Sequence, residues 1–153
     1  MASDSRQRWW QRWRRDRPQP ALDPSRPDLV VVASSFDDAE AASATLARAG
    51  SAPPRWDPSA PAVLRHHLVL PADQVADAVA VAGQDGYAAA ETGPPTAVPV
   101  PDVPDCQMVV LQRVQVLDAL HCSQERSRMA GLAQRRDGLA LGWDALQPDP
   151  GAG

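Results

Sequence analysis

Three times along this chain a strand-like run is followed by an alanine-rich amphipathic stretch that stops at a glycine, and this recurrence limits the fold more than any other feature. Residues 29–33 (LVVVA) are a short β-branched run of the kind a buried strand shows. Residues 37–49 then predict a helix whose stripe Ala39, Ala42, Leu46 and Ala49 ends at Gly50. Ser35 and Asp38 stand at capping-box spacing, with Asp replacing Glu, and this places Asp37, Asp38 and Glu40 in a first turn where carboxylates complement the helix dipole.

The second unit runs from a strand at 66–70, closed by Pro71, into a helix at 73–85 that carries Val75, Val79 and Ala82 on one stripe. Gly86 is the expected left-handed cap, and residues 87–91 predict a short strand. The third unit is a strand at 108–116, with Cys106 opening it, then a helix at 120–136 with Cys122, Met129, Leu132 and Ala133 along one side and Gly138 as its stop. Leu139, Leu141, Trp143 and Ala145 next alternate with Ala140, Gly142 and Asp144, so a last strand buries one face before Pro148 and Pro150, with Trp143 as a core anchor.

Helices of this kind need a sheet to cover, and one helix layer on one mostly antiparallel sheet satisfies all three. The expected fold class is therefore α+β, a ferredoxin-like sandwich with its helices on one face. Proline marks the connections: residues 51–61 and 92–105 read as loops, and Pro18, Pro20, Pro24 and Pro27 make residues 16–28 a stiff, polyproline-like spacer. The resulting plan is an Arg/Trp-rich tail and linker at 1–27, one domain at 28–147 and a loose end at 148–153. No apolar run approaches the ~18 residues that cross a bilayer, and none resembles a signal peptide, so a cytoplasmic protein is expected.

Charge divides the chain. Residues 1–26 hold seven Arg against three Asp, a net of +4, whereas the remaining eight Arg face 16 acids, a net of −8. The positive end concentrates Arg6, Arg8, Arg12, Arg14 and Arg15 with Trp9, Trp10 and Trp13. Arginine pairs with phosphates and carboxylates and stacks on rings, and on a helix the three tryptophans fall on one face. The segment 5–17 is thus a candidate contact for an anionic partner: RNA, an anionic membrane, an acidic protein groove, or the chain's own acidic domain.

Catalysis has little to stand on in this sequence. His121 and Cys122 are adjacent on a helix, so their side chains diverge. His66 and His67 are adjacent on a strand, so they point to opposite faces, one to the core and one to solvent, and cannot chelate one ion. The two cysteines, Cys106 and Cys122, form no CxxC and read as small semi-buried hydrophobes. GxGxxG, phosphate-loop and HExxH motifs do not occur, and neither cofactor, metal nor small-molecule substrate is expected. Arg126, Arg128, Arg135 and Arg136 on the last helix form either a solvated face or a second anion-binding patch.

Residues 65–70 (RHHLVL) as an opening strand, the helix running into Asp85-Gly86-Tyr87, and residues 139–145 with Gly142-Trp143 together resemble the regulator of ribonuclease E activity B family. The helix at 37–49 with Gly50 matches more loosely, so the resemblance covers about residues 37–147 and leaves the Arg/Trp tail outside. It implies a ferredoxin-like, non-enzymatic protein that binds ribonuclease E and restrains RNA cleavage, through an acidic surface. Two departures alter that surface: Leu141 stands where the family usually has Asp, and the last helix is rich in arginine. The expected function is a protein-binding module that modulates an RNA-processing enzyme; the alternative is an RNA-, ribosome- or membrane-associated protein that binds through its tail.

Overall fold

Strand β2, Pro61–Pro71, is the axis of the fold. Its eleven residues pair along their whole length with β4, Cys106–Val116, and on the other side with β5, Leu139–Pro148. The computed structural model describes residues 22–91, 93–95 and 101–151. The short β3, Ala88–Ala89, lies outside β4, and β1, Leu29–Ser35, lies outside β5, which gives the antiparallel order β1-β5-β2-β4-β3. From β2 onward the chain reads β-α-β-β-α-β with the strand order of a ferredoxin-like sandwich, and β1 adds a fifth strand at one edge.

Three helices cover one face: α1 (Ala42–Ala49), α2 (Val75–Gly83, after a 3₁₀ turn at Ala72–Gln74) and α3 (Ala119–Gln134). Because side chains alternate along a strand, Ala62, Leu64, Leu68 and Leu70 of β2 face these helices. Trp143, 1% exposed, packs there with Leu46 and Leu64 as the core anchor expected of it. The opposite face is also covered: Leu22, ahead of β1, packs over Leu29, Val63 and Leu146.

Several local expectations change. The first helix begins at Ala42 rather than residue 37, and its N-cap, Ala41, has no side-chain hydrogen bond. Asp37 instead accepts the Ala39 N–H in a tight turn, and Glu40 accepts from Thr45 Oγ1 and Arg48, so these carboxylates lie before the helix and tie its start to its end. The third helix takes its left-handed residue at Asp137 (φ 59°), not at Gly138; Gly138 is needed because a Cβ there would come within 2.5 Å of the Val69 carbonyl. Gly86 does hold the left-handed conformation expected of it, at φ 85°.

The alternation in β5 also breaks. Trp143 pairs with His66 and Gly142 with His67, but Leu68 pairs with Ala140, so Leu141 is bulged out of register. The bulge puts Ala140, not Leu139 or Leu141, on the tryptophan's face, and Leu139 is left 54% exposed. No helix among the described residues is long and apolar enough to cross a membrane.

Candidate functional site

Two polar clusters are buried on opposite sides of β2, set there by consecutive residues. On the face away from the helices, Arg65 makes a bidentate pair with Asp144, Nε to Oδ1 at 2.7 Å and Nη2 to Oδ2 at 2.6 Å. Its remaining Nη1 donates to the Pro94 carbonyl at 2.8 Å and so straps the 93–95 segment to the sheet. His67 Nε2 lies 3.2 Å from the same carboxylate, and its ring meets Phe36 at a 5.3 Å centroid distance. Burial alone would raise the Asp144 carboxyl, but hydrogen bonds from His67 and Arg65 prevail and hold it below the usual carboxylate range.

On the helix face, Tyr87 donates its hydroxyl to Glu125 at 2.8 Å and meets His66 Nε2 at 3.4 Å, while the Arg113 guanidinium lies 4.4 Å above the tyrosine ring. Arg113 also bonds the Asp85 carbonyl and sits 3.5 Å from Glu125, which joins β4, the end of α2 and α3. Burial pushes the His66 imidazole down to about 3, with His67 and Arg113 adding to the shift. Burial and the bond to Glu125 push the Tyr87 hydroxyl well above its ordinary value. His66 is thus neutral at physiological pH and lines a cavity of about 170 Å³ between α3 and β5 with Asp38, Arg126 and Gln134.

Both histidines are therefore buried, at 2% and 0% exposure, which corrects the expectation that one faces solvent. The reason is that both faces of the sheet are covered, and each imidazole is matched by a polar partner on its own face. His121 is exposed and hydrogen-bonds Asp118, the N-cap of α3, while Cys122 is buried and its thiol is pushed up to about 11 by burial first and Asp118 second. Among the described residues no group of three His, Cys, Asp or Glu is placed to hold a metal ion.

The arginines of α3 and of the turn that follows it are largely engaged by the domain itself. Arg126 donates to the Glu40 and Asp37 carbonyls, Arg128 pairs with Asp85 at 2.8 Å, and Arg136 pairs with Asp77. Seven of the nine described arginines lie within ion-pair distance of a carboxylate. Arg6, Arg8, Arg12, Arg14 and Arg15 with Trp9, Trp10 and Trp13 lie outside the described residues.

A second surface feature escaped the sequence reading. The loop after α1 folds Pro53, Pro54, Trp56 and Pro58 against Val30 and Pro150, forming an apolar groove of about 920 Å³ with Asp57 and Asp149 also in its walls. Trp56 is held there by backbone, its N–H donating to the Ala49 carbonyl at 3.0 Å, and Gln147 fixes Asp57 through both of its main-chain groups. A proline-rich loop signals surface exposure in a sequence, but nothing in its spacing shows that it will meet the C-terminal end of the chain. The chain matches no protein-family model, no curated protein and no solved structure.

Proposed function

We propose that this protein is a non-enzymatic docking domain that modulates an RNA-processing enzyme, in the manner of the ribonuclease E inhibitors its sequence resembles. The observation that carries the reading is the distribution of charge. Nine arginines face 17 acids in the described residues, a net of −8, and seven of those arginines are engaged by internal carboxylates. Asp73, Glu91, Asp102, Asp105 and Asp137 remain exposed and outside any ion pair among the described residues. A surface so poised attracts a basic segment and steers its approach.

The domain is the principal docking unit, and the Arg/Trp tail is a second attachment point. Two weak contacts joined by a Pro-rich spacer raise affinity by ~10²–10⁴ when both are reachable together. The test is a titration of the full-length protein into ribonuclease E from the same cell, read both as binding and as the rate of RNA cleavage. Saturable binding with slowed cleavage is expected; no binding at low salt sinks the reading. The tail's composition favours a second reading, direct RNA contact, which predicts a salt slope of about −0.7 per phosphate neutralised on single strands.

A further inference from the structure

The groove walled by Trp56 and the prolines is an open apolar concavity of about 920 Å³, at the upper end of the ~300–1,000 Å³ typical of ligand sites, and so offers a docking surface. We propose that it receives the Arg/Trp segment 5–17 of the same chain, and that partner binding releases this segment for its second contact.

Chemistry, charge and chain length support this occupant. Aromatic and proline walls suit indole rings, which stack on flat apolar surfaces and carry one N–H to place at the rim. Asp57 and Asp149 stand in the groove with Arg55 as the one cation among its lining residues, and Asp57 is held in its charged form by hydrogen bonds from Ser59. Residues 5–17 bring six arginines and one aspartate to that acidic rim. The described chain starts at Leu22, packed against Leu29 at the beginning of β1, and the next residue of that strand, Val30, lines the groove. The tail must only round the edge of β1, which among the described residues pairs with β5 alone. Rounding one layer takes roughly 10 Å, and the nine-residue step from Trp13 to Leu22 reaches at most roughly 30 Å.

Trypsin reads this contact directly, because the chain has no lysine and its tail offers cleavable bonds after Arg6, Arg8, Arg12, Arg14 and Arg15. Arg17 and Arg26 each precede proline and resist cleavage, so the tail is trimmed before the domain is entered. When opening is fast, cleavage follows the undocked fraction. The full-length wild type should therefore lose its tail about tenfold more slowly than a synthetic peptide of residues 1–21, a difference of one decade in the docking constant. An Asp57→Asn/Asp149→Asn variant keeps the side chains' hydrogen-bonding shape and removes their charge, and it should approach the peptide's rate while near-ultraviolet circular dichroism stays that of the wild type. A Trp9→Ala/Trp10→Ala/Trp13→Ala variant, altered only in the tail, should do the same. Equal rates in wild type, variants and peptide overturn the proposal. So does a wild-type rate that rises on dilution, since that places the tail in a second copy. Neither result depends on whether ribonuclease E is the partner.

Discussion

The two faces of β2 solve one problem in opposite ways. His66 and His67 are neighbours in sequence, yet one lies under helices beside Tyr87 and the other lies under loops beside Asp144. Under the helices, burial strips the imidazole of its charge and the protein stabilises the neutral form. On the other face the protein keeps the charges and pairs them: Arg65 and Asp144 are each 3% exposed at the side chain and joined by two short bonds. Under the helices His66 meets only the Tyr87 hydroxyl, with Glu125 and Arg113 one residue further out, whereas on the other face His67 meets a carboxylate directly and the Pro94 carbonyl reaches the buried guanidinium.

The sharpest way to break this comparison is to remove one charge from the paired face. Asp144→Ala leaves Arg65 and His67 without their carboxylate, and unfolding in urea should show a loss of about 3–5 kcal/mol. A loss below about 1 kcal/mol would mean that water reaches the site.

The neutral face should be exposed by acid. Folded His66 takes its proton only near pH 3, whereas the unfolded side chain does so near 6.5, so the unfolded state binds more protons between these values. Stability contributed by this residue is complete above pH 6.5 and falls as pH drops through the window, by up to about 1.4 kcal/mol per pH unit. Asp144, held below its ordinary value, loses stability in the same direction but at lower pH. Urea midpoints at pH 7, 5.5 and 4.5 check this, and His66→Gln should flatten the slope across that range; an unchanged slope assigns it elsewhere.

At the small end, Arg128→Ala breaks the ion pair with Asp85, but both side chains are nearly half exposed and solvent screens them. The expected cost is under about 0.5 kcal/mol by thermal unfolding. A cost several times larger would make α3's arginines part of the fold's support rather than its solvated side.

The contrast between the faces also explains what the sequence could and could not disclose. Periodicity located the three helices, the left-handed Gly86 and the buried Trp143, because each depends on local spacing. It could not reveal that Arg65 and Asp144 meet, since they are 79 residues apart and only sheet register brings them opposite each other. A faint signal existed, a charged residue inside each of two apolar strand runs, and a buried charge implies a partner. The helix start slipped from residue 37 to Ala42 because Asp37 and Glu40 found better bonds in a turn than in a dipole. The bulge at Leu141 was invisible because alternation assumes regular pairing.

We propose that the charged groups inside this sheet serve the fold while the acidic exterior serves the partner. The most direct test is binding of an Arg65→Met/Asp144→Leu double variant to ribonuclease E at low and moderate salt, beside the wild type. Replacing both members of the pair by apolar residues removes both buried charges and costs His67 only its contact with the carboxylate, so the variant should fold. The account predicts the same affinity and the same weakening with salt as the wild type. A folded variant that has lost binding would contradict it and make the buried pair part of the recognition site.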